Sequence, residues 1–382
     1  MKLLFASDSF KGSLTSAQTI EILTKAAHDV FGSCETDGVA VADGGEGTVE
    51  AVISAQNGRM VQCPVHGPRM EELMAGYGVF DQDQAVIEMS AASGLVLVPE
   101  NERNPMNTTT YGTGELIRDA LDKGYRNLSI AIGGSATNDG GMGCARVLGV
   151  RFLDEDGREL EGFGRDLIRV RTIDMTGMDP RVKECSITVM CDVTNPLCGE
   201  DGATWTFGAQ KGATPQMQRE LEEGMCNYRD VIRELSGVDC DQVPGAGAAG
   251  GLGAALSVFF GGRMKSGIET VLDLIRFDDR LQGVDLVVTG EGRTDWQSCY
   301  GKVMRGIGLR AKSRGIPVLG LSGCLGRGAM DICAYGISSL MTTVNAPMTL
   351  EEALENAQQL YYEGAVRMLR FIKTGMEMGV VL

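Results

Sequence analysis

Residues 3–13, LLFASDSFKGS, decide the fold. A short apolar run stops abruptly at Asp8, and a polar loop follows. Thr15-Ser16-Ala17-Gln18 then shows the spacing of a capping box, and a helical pattern runs over residues 20–30. This is a buried strand, a turn and a helix, the opening half of a βαβ unit. The next apolar run, residues 39–42, predicts a second strand, parallel and adjacent because crossovers are short and right-handed.

The same arrangement recurs outward from this stretch. Residues 39–48 read VAVADGGEGT, residues 129–141 SIAIGGSATNDGG, residues 187–199 ITVMCDVTNPLCG and residues 285–295 DLVVTGEGRTD. Each predicts a strand whose C-terminal end delivers acids, amides or glycines. In open α/β sheets ligands bind at that edge. Together these loops are rich in carboxylates and exposed backbone N–H groups, which suits a phosphate substrate carrying a metal ion.

The style of the chain changes along its length. Residues 59–90 alternate like antiparallel strands and hairpins. Helices are predicted over 113–123, 142–148, 214–235 and 248–260, strands over 129–132 and 187–191, and a hairpin over 151–160 around Asp156-Gly157. Plain βα units return after residue 285, ending in one long helix over 349–373. The fold class expected is therefore α/β: a Rossmann-like parallel-sheet domain, residues 1–60 plus 285–382, interrupted by an inserted second α/β domain with a mixed sheet, residues 61–284. The cleft between domains is the default place for a site.

Composition narrows the functions. With Lys+Arg 35 against Asp+Glu 51, the net charge is −16. Nucleic acid and anionic membrane are poor partners for such a chain. The run at residues 243–262 has membrane length and no charge, but its glycines predict a buried turn and helix. No signal peptide is expected, and 11 cysteines without a CxxC pair fit a reducing cytoplasm. Cys191 and Cys198 flank the Asp192 loop, but both histidines lie far off in sequence, so no thiolate metal site is expected there. The sequence leaves the oligomeric state open, a homo-oligomer included.

Several loops carry chemistry. Asp8 and Lys11 sit where strand 1 meets helix 1, with Lys11 offering charge to a phosphate or carboxylate. Asp43 is packed among glycines that allow close ligand approach. Gly133, Gly134, Ser135, Thr137 and Asn138 enter a helix start, a cradle for phosphate. Gly247 lies in a second glycine-rich turn, for which close helix packing is an equal reading. Asp192 is a candidate general base or Mg²⁺ ligand beside Asn195, and an Asx-turn is the bland alternative. Glu291, Arg293, Asp295 and Lys302 mix acids with cations, and Arg293 can grip a carboxylate or phosphate in two-point fashion. His28 and His66 read as structural. There is no Walker A loop, no GxGxxG after the first strand and no GxSxG elbow.

The ordered set DSFKGSL, ADGGEGT, GTGELI, GGSATNDGGMG, CDVTNPLCG, FGAQKGA, GAGAAGGLG and GEGRTD resembles the bacterial glycerate kinase family, of the glycerate 2-kinase type, from Lys2 to Lys373. Ala209, where proline is expected, and Thr294, where an aliphatic residue is usual, are small departures. The resemblance implies ATP-dependent phosphorylation of D-glycerate with Mg²⁺ and an interrupted Rossmann-like domain. On chemical grounds rather than family ones, Asp192 is the expected base or metal organiser, with Glu291 as the second metal carboxylate. Asp8 and Asp43 serve metal or substrate, and Asn195, Asp295 and Lys302 serve the substrate. Lys11 and Arg293 hold the glycerate carboxylate and the transferring phosphoryl group. Gly133, Gly134, Ser135, Thr137, Asn138 and Gly247 are expected at ATP. The alternatives are a glycerate 3-kinase, a non-catalytic glycerate or phospho-sugar binding protein, and a dinucleotide oxidoreductase. The last is disfavoured by the missing fingerprint.

Overall fold

A computed structural model describes residues 1–10 and 12–379. The chain forms two compact α/β units, Met1–Asp43 with Ile268–Leu382 and Gly44–Gly267.

The first unit is built on five parallel strands in the order Ser339–Thr342, Val318–Ser322, Leu286–Thr289, Lys2–Phe5, Glu35–Gly38. Leu3, Leu4 and Phe5 are fully buried, as a strand covered on both faces requires. The helices Ser16–Phe31 and Ala357–Glu377 pack together on this sheet through Leu23, Ala27, Tyr361 and Leu369. Thr15 caps the first of them in a complete capping box with Gln18. Phe10 meets Tyr361 edge to face, 5.1 Å between centroids, and so ties the first loop to the last helix.

Two sequence expectations shift here. The second strand is Glu35–Gly38, not the apolar 39–42, because the ladder follows pairing with Lys2–Phe5 and an edge strand tolerates polar residues. Val39 still donates to the Phe5 carbonyl at 2.9 Å, so the apolar run simply continues the extended path. The last helix is broken into Leu350–Glu355 and Ala357–Glu377 at Asn356, whose side chain bonds back to the Glu352 carbonyl at 2.8 Å.

The second unit has a six-stranded mixed sheet in the order Arg263–Lys265, Ser186–Met190, Asn127–Ala131, Gln84–Glu88, Glu72–Phe80, Arg59–His66. The first four are mutually parallel, and the last two add antiparallel hairpins. The amphipathic helix Pro215–Ser236 starts at Thr214, whose hydroxyl accepts the Met217 N–H, and ends at Gly237 in the left-handed region. It buries Leu221, Met225, Tyr228 and Ile232. The helix expected over 248–260 is shorter, Leu252–Val258. Ala249 and Gly250 before it take positive φ, which an α-helix excludes. Among the described residues no helix is long and apolar enough to cross a membrane.

Candidate functional site

In the first unit, the strand Lys2–Phe5 runs into Asp8, and the strand Leu286–Thr289 runs into Glu291. The Asp8 N–H donates to the Gly290 carbonyl at 3.1 Å, which sets the two loops side by side. Gly290 must lack a side chain, because a Cβ there would stand 2.0 Å from the Leu321 carbonyl oxygen. Asp8 turns one oxygen to the Ser9 N–H at 2.6 Å.

Glu291 is 6% exposed and is the most constrained acid of this edge. Its Oε1 accepts the hydroxyls of Ser298 and of Thr294, the latter at 3.0 Å. Lys302 Nζ stands 3.9 Å from Oε2, at the start of the helix Val303–Lys312. Burial pushes the Glu291 carboxyl above its usual range, with Asp295 adding to that. The Ser298 and Thr294 hydroxyls and the Lys302 ammonium oppose it without cancelling it. Thr294 is itself buried and meets the Ser322 hydroxyl at 2.7 Å. The residue that departs from the family pattern therefore contributes a hydrogen bond to a candidate acid.

Arg293 is largely exposed and pairs with Asp295, Nε to Oδ2 at 3.2 Å. Asp295 also caps the short turn Trp296–Cys299 through the Gln297 N–H at 2.9 Å. Asp43 is half-buried at the end of the stretch that follows Glu35–Gly38. Lys11 lies outside the described residues.

In the second unit, loops from four places meet. A Cβ on Gly133 would stand 3.5 Å from the Gly45 Cα, and one on Gly44 only 2.8 Å from the Gly267 Cα and 3.4 Å from the Met190 Cβ. The glycine loop before the helix Thr48–Ala55 thus touches the ends of the strands Asn127–Ala131 and Ser186–Met190. Glu88 ends a third strand there, and its Oε1 accepts the Val49 N–H at 2.8 Å. Burial raises the Glu88 carboxyl, with Glu50 and Glu46 assisting and the amides of Val49 and Thr48 opposing.

Asp192 is exposed. Its Oδ1 accepts the Ser266 hydroxyl and the Gly267 N–H, both at 2.9 Å, where the helix Gly267–Leu274 begins. Asn195 donates to the Asp201 carbonyl at 2.7 Å and tightens its own loop. Gly247 is buried against that loop, where a Cβ would come within 2.0 Å of the Pro196 carbonyl oxygen.

The loop at residues 133–141 is organised by Asp139, fully buried, which takes the Thr110 N–H at 2.7 Å, the Thr110 hydroxyl at 2.8 Å and the amides of Gly141 and Gly143 at 3.1 and 3.2 Å. The amides at this helix start, expected to cradle phosphate, are closed by the chain's own carboxylate. Gly133 and Gly134 remain exposed, whereas Ser135, Thr137 and Asn138 are buried. The Thr137 hydroxyl and Asn138 Oδ1 have no hydrogen-bond partner among the described residues.

Sequence reasoning passed over Glu88 and Lys211. Glu88 obeys the same strand-end rule as the selected acids. Lys211, in FGAQKGA, is 2% exposed, and its ammonium reaches the Thr137 carbonyl. A single lysine among glycine and alanine was the available signal. The histidines stand apart from these loops: His28 is exposed on the first helix, and His66 pairs with Glu115 at 3.1 Å.

Comparison with known proteins adds identity to this geometry. The glycerate kinase family model matches residues 3–373. The chain is 43% identical to glycerate 2-kinase of Escherichia coli K12 over 381 residues, 100% of this chain and 99% of the relative. It is 44% identical to glycerate kinase of Bacillus subtilis 168 over 368 residues, 96% of each. A crystal structure described as "putative glycerate kinase 2" of Salmonella typhimurium LT2 shares 41% identity and a TM-score of 0.89, covering 99% of both chains. The chain belongs to the glycerate kinase family, and it is a kinase.

Proposed function

We propose that this kinase transfers the γ-phosphoryl group of ATP to the 2-hydroxyl of D-glycerate, giving 2-phosphoglycerate and ADP. The observation that carries this reading is the match along essentially the whole chain, joined to carboxylates at strand ends in both units. The relative named glycerate 2-kinase supports the acceptor position.

Phosphoryl transfer needs positioning and charge neutralisation more than covalent help from the protein. Asp192 is the proposed base: one oxygen is held by Ser266 and Gly267, which fixes its orientation. It takes the hydroxyl proton as the glycerate oxygen attacks the γ-phosphorus and the bond to ADP breaks. Lys11 and Arg293 are proposed to hold the substrate carboxylate and the transferring group. Gly133, Gly134, Ser135, Thr137, Asn138 and Gly247 are assigned to the nucleotide, with the exposed Gly133-Gly134 backbone as its direct contact. Asp43, Asn195, Asp295 and Lys302 complete the substrate shell.

The donor set fits Mg²⁺. Asp8 and Glu291 of the first unit are its proposed ligands and Asp192 of the second a further candidate, since each offers hard carboxylate oxygens, the ligand type this ion prefers. When bound it would neutralise charge on the phosphate oxygens. Glu291, buried and held beside Lys302, is suited to keep a fixed position in that shell.

The test is ADP release with purified protein, ATP, Mg²⁺ and D-glycerate. Release that depends on glycerate and falls in Asp192→Asn supports the reading. ADP release indifferent to glycerate, or none with a folded protein, would remove it.

A further inference from the structure

We propose that Cys198, Glu222 and Cys226 form a binding site for a thiolate-seeking divalent cation of the zinc class, within the second unit and separate from the Mg²⁺ of the kinase reaction. Glu222 and Cys226 lie four residues apart on the helix Pro215–Ser236, so they share one face, and both are half-buried. Cys198 comes from the loop after the strand Ser186–Met190 and is 5% exposed. Their ligand atoms all lie within 4.8 Å of one another, and Cys226 Sγ is 3.8 Å from Glu222 Oε1. Sulfur and oxygen ligands at roughly 2.3 and 2.0 Å from one tetrahedral ion stand about 3.5 Å apart. The three side chains therefore need little movement to close on a cation.

The carboxylate is prepared for another partner. Glu222 Oε1 accepts the Gly199 N–H at 2.6 Å, but Oε2 is buried with no hydrogen-bond partner among the described residues. Burial pushes the Glu222 carboxyl above its ordinary range, and the Gly199 amide and the Thr204 hydroxyl oppose this without cancelling it; the Thr204 hydroxyl is not in bonding geometry to Oε2. An orphaned buried oxygen is costly, and a metal ion would satisfy it.

A further acid stands beside the cluster. Asp241 accepts the Cys198 N–H at 2.9 Å and holds Arg229 at 2.7 Å, which fixes the loop that presents Cys198. Two sulfurs and one carboxylate, with water as the fourth ligand, are the composition of an open zinc site. Soft thiolates select zinc over Mg²⁺.

The test uses the reduced full-length protein, stripped with a chelator and titrated with Zn²⁺ against a chromophoric competitor. A parallel titration with Co²⁺ reads the thiolate-to-cobalt charge-transfer band. We expect one ion per chain, the cobalt band, and binding weakened by at least about tenfold in both Cys226→Ser and Glu222→Gln. Glu222→Gln changes one atom and carries the test where Cys226→Ser does not fold. The proposal is overturned if the wild type takes up no Zn²⁺ or if both variants bind it equally well. Formation of a Cys198–Cys226 disulfide in protein that binds no Zn²⁺ when reduced would overturn it too.

Discussion

Lys211 Nζ donates to the Thr137 carbonyl oxygen at 2.6 Å, from a side chain with almost no solvent contact. The bond reaches across the sequence and pins the loop assigned to the nucleotide. Burial lowers the ammonium pKa to about 7, and nearby Asp139 only partly offsets this. The folded protein therefore holds fewer protons than the unfolded chain between about pH 7 and the ordinary lysine value of 10.5. Stability from this group rises with pH across that window, by at most about 1.4 kcal/mol per pH unit, and its cost is fully present below pH 7. Lys211→Met should flatten that dependence. Denaturant unfolding of both proteins from pH 7 to 10 reads it; parallel curves would mean that Lys211 keeps its ordinary titration.

Gly250 stands against the same carbonyl. Its φ is +66°, and a Cβ there would lie 2.0 Å from the Thr137 oxygen, a backbone atom that cannot move aside cheaply. Gly250→Ala should destabilise the fold by about 2–4 kcal/mol, from overpacking and left-handed strain together. Urea midpoints measure this. A loss below about 0.5 kcal/mol would show that the loop relaxes freely.

How far the residues revealed this arrangement depends on the range of the interactions. The strand ends at Asp8, Asp192 and Glu291 were legible because a buried strand and its loop are local features. The glycine turn at 245–251 was legible as tight packing, but the break at Ala249 was not, since its positive φ goes with contacts to a distant loop. The neighbours of Cys198 were not legible for the same reason. Cys191 and Cys198 are near in sequence, yet the ligand atoms close to Cys198 come from Glu222 and Cys226 on a later helix. Asp139 read as one more polar loop residue, and only the fold shows that it takes the amides of Gly141 and Gly143 for itself.

Asp192→Asn keeps an oxygen for Ser266 and Gly267 and so should preserve the local fold. It removes the proposed proton acceptor. The expected result is a fall in kcat of roughly 10²–10⁴ with a modest change in the KM for ATP. Steady-state kinetics with a matched thermal melt checks both parts. A near-wild-type kcat in the folded variant would reduce Asp192 to a helix cap.

Lys302→Met removes the cation 3.9 Å from Glu291. That cation opposes the upward push of burial, so its loss should raise the Glu291 pKa further. If Glu291 must be ionised for metal or substrate, the acidic limb of the kcat/KM profile moves to higher pH. The profile from pH 5 to 8 decides it; an unmoved limb with only a lower plateau would mean that another group controls it.

The product should be 2-phosphoglycerate. D-glycerate carries two hydroxyls on a three-carbon acid, and they differ in distance from the carboxylate. A guanidinium or ammonium gripping that carboxylate fixes the register of the whole molecule. The adjacent 2-hydroxyl is then held close to the grip, whereas the 3-hydroxyl needs one more carbon of reach. Arg293, largely exposed and paired with Asp295 through Nε among the described residues, has further N–H groups to offer such a grip. Coupling the reaction to enolase alone reads the outcome, because enolase consumes the 2-phosphate directly. Signal without phosphoglycerate mutase is the expected result. Signal only after mutase is added would identify the 3-hydroxyl as the acceptor and rule out a substrate anchored next to its reacting carbon.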